Sequence, residues 1–303
     1  MRWPTVRRSP CPNTTTEPAI ARRPPPAPLH RGGEGSPLVL LHGFTGSWRI
    51  WHPVLETLER HHEVTAVTLP GHHGGPVIAR ETEVSIKLLA DGIEQSLDAA
   101  GIGTAHICGN SLGGWLSLEL ARRGRARSVV ALSPAGGWRD PGHLHRTATM
   151  IRNITRLSVR SSPFLRGPLL APQARRAMLK SVMERGDRMP PGRMLQMIED
   201  AGGCTIIDQF MVATQRDGGF NSDMSHVTCR VRIAWSQNDR TIPADDHGRP
   251  LLDRVPNAEF TVMPGVGHVP MYDDPLLVTA TILEVTLDVD ASTPQPSRAR
   301  SAS

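Results

Sequence analysis

The sequence predicts an α/β domain built on a doubly wound, mostly parallel sheet, with an inserted helical cap. Three observations predict it. Runs of four to eight apolar or β-branched residues, bounded by Gly, Pro, Ser or Asn, recur along the chain. They are apolar on both faces, as parallel strands covered by helices must be. Patterns with apolar residues three and four apart separate most of them, and that alternation ceases between 139 and 223.

Residues 1–30, rich in Pro, Arg and Thr, cannot bury a core and read as a disordered basic tail. The first strand is "SPLVLLHG" (36–43), followed by a helical pattern, "WHPVLETLERH" (51–61). "EVTAVTLPG" (63–71) is the second strand, and "EVSIKLLADGIEQSLDAAG" (83–101) the next helix, stopped by glycine. "AHICGNS" (105–111) leads into "LGGWLSLELARRG" (112–124), and "SVVALSP" (128–134) follows. Residues 139–223 hold only helical pieces, among them "PQARRAMLKSVMER" and "PGRMLQMIEDAG", and read as the cap. Strands resume at "RVRIAWSQND" (230–239) and "AEFTVMPG" (258–265). The core is thus 31–138 with 224–290, and 291–303 is a second tail.

Composition narrows the classes. In residues 1–31 six arginines face one glutamate, which accounts for the whole formal charge of +5. The rest of the chain is neutral overall, so the pI near 9.5 does not imply a nucleic-acid partner. No apolar run approaches a membrane span, and the N-terminus lacks the apolar segment of a secretory signal. Four cysteines with no CxxC pair fit a reducing cytoplasm and argue against a zinc site.

Ligands of open α/β sheets sit at the carboxyl ends of the strands, and three such ends carry chemistry. Ser111, in "GNSLGG", stands between a strand and a helix, where Gly109 and Gly113 admit the sharp turn that exposes its hydroxyl. The Leu112 N–H is placed for an oxyanion. A glycine-rich turn without chemistry has the same letters, so the partners matter. His268, flanked by glycine in the loop after the last strand, is a base suited to neutral pH, although the chain has 13 histidines. Asp239 in "NDRTIP" would orient that imidazole, with Asp245 and Asp246 as rivals past Pro243. The strand ending in His42 and Gly43 offers the Phe44 N–H as second oxyanion donor, with Thr45 beside it.

The motifs "PLVLLHGF", "LPGHHGG", "GNSLGG", "NDRTIP" and "GVGHVP" resemble the α/β-hydrolase superfamily in type and order, over about residues 29–289. The resemblance implies Ser111 as nucleophile, His268 as general base, Asp239 as orienting acid, and Phe44 and Leu112 as oxyanion donors. The family's opening antiparallel hairpin has little room before Pro37, so a shortened sheet edge is expected. Haloalkane dehalogenases and epoxide hydrolases of this fold use aspartate where Ser111 stands. Epoxide hydrolases also need cap tyrosines, and the single tyrosine, Tyr272, lies outside the cap.

Eight of the eleven methionines fall between 139 and 224, which reads either as an adaptable apolar acyl pocket or as ordinary helix packing. The cap is also rich in arginine, and one turned inward would bind a substrate carboxylate. The leading expectation is an esterase or thioesterase with a small apolar acyl substrate, and no metal or cofactor, since the serine is activated by its own base. "GNSLGG" also resembles the elbow of meta-cleavage-product hydrolases, which cleave carbon–carbon bonds; there Asn110 would help hold the substrate. A ligand-binding protein without catalysis is the third reading. His72 and His73 read as loop structure.

Overall fold

The structure, a computed structural model, describes residues 27–138, 141–165 and 167–292. The expected tails lie outside the described residues, apart from a few residues at their inner ends. There the ordered elements reach further than expected, from Leu29 to Ser292.

Seven strands form one sheet: β1 (Leu29–Gly32), β2 (Ser36–Leu41), β3 (His62–Val67), β4 (Ala105–Asn110), β5 (Ala126–Leu132), β6 (Arg230–Ser236) and β7 (Ala258–Met263). Their order is β1-β3-β2-β4-β5-β6-β7, parallel except for β1, which pairs antiparallel with β3. The edge is shortened as expected, to a four-residue strand. In β2, Leu38 and Leu40 enter the core on one face, Val39 and Leu41 on the other, all fully buried. That is the period of two a strand imposes, and each such side chain contributes about 1.5–3 kcal/mol on burial.

Helices cover both faces. On one lie α1 (His52–Leu58) and the last helix, numbered α9 below (Pro275–Ser292). On the other lie α2 (Ile86–Ala99) and α3 (Leu112–Arg122), with the short α8 (Arg249–Leu252). Ser85 caps α2 by accepting the Leu88 N–H at 3.1 Å. Between β5 and β6 the α-helices among the described residues are α4 (Pro141–Leu165), α5 (Pro172–Met178), α6 (Pro191–Gly203) and α7 (Ile207–Asp217), and these residues contain no strand.

The helix expected over "PQARRAMLKSVMER" ends at Met178 because the backbone beyond it bonds to the core instead. Ser181 and Val182 carbonyls accept from Thr241 Oγ1 and Val269 N at 3.0 and 2.8 Å. The Glu184 and Arg185 N–H groups donate to Asp273 at 2.9 and 2.7 Å.

The chain leaves β2 toward β3 on one side and reaches β4 on the other. The loops after β2 and β4 therefore diverge at a topological switch point, where a crevice opens above the sheet.

Candidate active site

Ser111 stands at that switch point. Its backbone has φ 55 and ψ −117, a region few non-glycine residues occupy, costing about 1–3 kcal/mol. The turn is held by Ser111 N donating to Leu132 O and by Trp115 N and Ala135 N donating to Ser111 O. The hydroxyl makes no capping hydrogen bond to α3. The flanking glycines are sterically required: a methyl on Gly109 would lie 2.1 Å from Gly113 O, and one on Gly113 would lie 2.1 Å from Leu41 O.

The loop after β2 comes directly against the serine. A methyl on Gly43 would lie 3.3 Å from Ser111 Cβ. Gly43 O accepts from His42 Nδ1 at 2.7 Å and from Gly46 N at 3.1 Å. The Gly43–Phe44 peptide is trans, so fixing that carbonyl fixes the Phe44 N–H on the opposite edge. His42 Nε2 accepts the Leu69 N–H at 2.9 Å, which requires a neutral ring. Burial, reinforced by neighbouring His72, holds its pKa well below the ordinary histidine value. Among the described residues no backbone loop or cap hydrogen bond uses the N–H of Phe44 or Leu112.

His268 and Asp239 meet although 29 residues separate them. His268 Nδ1 donates to Asp239 Oδ2 at 2.6 Å, and both side chains are buried. Asp239 Oδ1 accepts the N–H groups of Thr241 and Ile242 at 2.9 and 2.8 Å. This leaves Nε2 as the uncommitted ring nitrogen of His268, which lines the same cavity as Ser111. The rivals are elsewhere: Asp245 and Asp246 lie in the helical turn Ala244–Gly248, with Asp245 paired to Arg249.

Asn110 lines the cavity too, but its amide nitrogen is engaged on Leu132 O and His268 O at 3.2 and 2.9 Å. It couples the serine turn to the histidine loop. Asp273, not singled out in the sequence, anchors that loop from the other side. Its carboxylate accepts Gly267 N at 2.7 Å together with the Glu184 and Arg185 N–H groups.

The cavity measures about 190 Å³. Gly43, Phe44, Thr45, Ser111 and His268 line it below, and residues of α4, α5 and α6 with Leu179, Ser181 and Val182 line it above. Met150, Met178, Met194 and Met197 face it, whereas Met183 and Met189 pack among the inserted helices. Among the described residues no aspartate, glutamate, lysine or arginine lines it. Arg175 does turn inward, but its guanidinium donates to Leu169, Leu170 and Asp187 carbonyls at 2.6–3.0 Å. His72 packs edge-on against His42 and Phe44, and its pKa is lowered to about 4, chiefly by burial. A larger groove of about 530 Å³ lies between α2, α3 and α7, away from these residues; its Arg123 is paired with Asp91, Glu94 and Glu119. Among the described residues no cluster suited to a metal ion occurs, and no helix is long and apolar enough to cross a membrane.

Residues 38–281 match the model of the alpha/beta hydrolase family. Epoxide hydrolase EphH of Mycobacterium tuberculosis is 34% identical over 202 residues, 66% of this chain and 94% of that protein. A thermophilic esterase from Thermogutta terrifontis superposes with TM-score 0.66 at 19% identity, covering 86% of this chain and 93% of the esterase. The 2-hydroxy-6-oxo-6-phenylhexa-2,4-dienoate hydrolase of a Rhodococcus strain gives 0.65 at 18% identity, covering 84% and 92%.

Proposed function

The chain belongs to the alpha/beta hydrolase family, and from that premise we propose that it is a serine hydrolase of carboxylic esters or thioesters. Ser111 is the nucleophile, His268 the general base and Asp239 the acid that orients it. The observation that carries this reading is the buried His268–Asp239 pair, whose imidazole lines the same cavity as the strained Ser111.

In this reading Ser111 Oγ gives its proton to His268 Nε2 as it attacks the acyl carbonyl carbon. The N–H groups of Phe44 and Leu112 receive the oxyanion. Collapse returns the proton to the departing alcohol or thiol and leaves an ester on Ser111. Water, deprotonated by the same imidazole, then releases the carboxylic acid. Asp239 holds the ring with Nδ1 protonated and stabilises the imidazolium.

The lining favours a neutral, apolar acyl group. The cavity, about 190 Å³, sets the size of that group. A ring-cleavage dienoate carries a carboxylate, and among the described residues no cationic side chain lines the cavity to receive it. Epoxide opening, for which the Mycobacterium relative is named, is disfavoured by chemistry. Serine attack on an epoxide leaves an ether with no carbonyl for water to attack, so turnover stops. The sole tyrosine, Tyr272, is buried and does not line this cavity.

A panel of short acyl p-nitrophenyl esters, acyl thioesters, a ring-cleavage dienoate and a styrene-type epoxide tests the proposal. Fastest turnover of an ester or thioester, with a pre-steady-state burst of leaving group, is expected. Faster turnover of the dienoate or the epoxide overturns it.

A further inference from the structure

We propose that Asp200, on the inserted helix α6, is a positioning residue for the oxyanion loop, tying the cavity's upper wall to the Phe44 N–H. The inference rests on the reading of Phe44 as an oxyanion donor.

Asp200 is 3% exposed. A buried carboxylate is costly unless hydrogen-bond donors surround it, and this one draws its donors from two core loops. From the loop after β2, Ser47 Oγ donates to Oδ2 at 2.6 Å and the Arg49 guanidinium donates to Oδ1. From the loop after β3, His73 Nδ1 meets Oδ1 at 3.2 Å. On the same helix Met194, Met197, Ile198 and Ala201 line the cavity. Just past it, Thr205 N donates to Gly71 O at 2.9 Å, a second fastening to the β3 loop.

The path from Asp200 to the oxyanion donor is short. Ser47 Oγ also accepts the Arg49 N–H at 3.3 Å and so starts the helical turn Trp48–Trp51. The residue before it, Gly46, donates its N–H to Gly43 O, the carbonyl of the very peptide that carries the Phe44 N–H. Between them Thr45 has φ 65, a strained conformation for a β-branched residue. Strain of that kind persists only where the surroundings over-determine it. His42 fixes one end of this turn and Asp200, through Ser47, the other.

The test compares Asp200→Ala, Asp200→Asn and Ser47→Ala with wild type on a short p-nitrophenyl ester, and measures inhibition by a trifluoromethyl ketone, whose adduct with serine carries an oxyanion. Asp200→Ala is expected to lower kcat by about 10- to 100-fold with KM nearly unchanged. Ketone affinity should fall by the same factor. Asp200→Asn keeps a carbonyl acceptor for Ser47 and should recover part of the loss. Ser47→Ala should reproduce it from the core side, and serves alone if Asp200→Ala does not fold. Variants that lose melting temperature but keep wild-type kcat and ketone affinity overturn the inference. Wild type that neither hydrolyses esters nor labels with a fluorophosphonate instead removes the serine-hydrolase reading, and this inference with it.

Discussion

His268 Nδ1 and Asp239 Oδ2 stand 2.6 Å apart with both side chains almost wholly buried, while the other carboxylate oxygen is held by two backbone N–H groups. That division of labour makes Asp239→Asn informative. The amide oxygen must face Thr241 and Ile242, so the amide nitrogen is turned toward His268. A donor there forces the proton onto Nε2, the tautomer that cannot accept from Ser111. Ester kinetics should show kcat reduced by about 10³–10⁴-fold with little change in melting temperature.

A second set of histidines is expected to make part of the fold's stability depend on pH. At the opposite end of the strands, His106 lies between Ser128 Oγ and Asp290 Oδ1, at 2.7 and 3.0 Å. His62 lies between Ser36 Oγ and Thr286 Oγ1, both at 2.8 Å. Ser128, His106 and Asp290 repeat the residue types of the proposed site, but serine and imidazole are fully buried and neither lines the cavity above the sheet. Burial lowers both histidine pKa values, His62 to about 4 with help from His106. The unfolded chain, with histidines near 6.5, binds these protons first. The stability they contribute is therefore complete above pH 6.5 and is lost as the pH falls toward 4. Urea midpoints between pH 7.5 and 4.5 should decline over that window. His62→Gln, with His106→Gln as a second variant, should flatten part of the decline.

Acyl-chain preference should follow the cavity wall. Met197 lines the cavity from α6 and is only partly buried. Met197→Ala enlarges the cavity beside Ile198 and should raise the ratio of long-chain to short-chain kcat/KM by at least about tenfold, since one further methylene accommodated in an apolar pocket is worth about 1–3 kcal/mol. A series of p-nitrophenyl esters of rising chain length measures it. An unchanged ratio places the acyl chain elsewhere.

The sheet was legible because parallel strands are continuous apolar runs, and all six runs read from the sequence are strands. Ser111, His268 and Asp239 stood out as candidates because each follows a strand and stands next to Gly or Asn. α9 carried no comparable mark: it is apolar nearly all round, "PLLVTATILEV", a composition shared by strands and buried helices. Asp200 and Asp273 were not legible for another reason. An acidic residue in a helical or loop pattern reads as solvated, and Asp200's partner Ser47 is 153 residues away. Asn110 was expected at the pocket and lines it, but nothing local foretold its bond to His268 O across 158 residues.

The measurement that bears most directly on the central claim is intact-protein and peptide mass analysis after exposure to a fluorophosphonate, with wild type and Ser111→Ala side by side. The serine-nucleophile account expects one phosphonyl adduct in wild type, on the peptide containing Ser111, and none in the variant. An unmodified wild type, or an adduct that survives in Ser111→Ala, contradicts it.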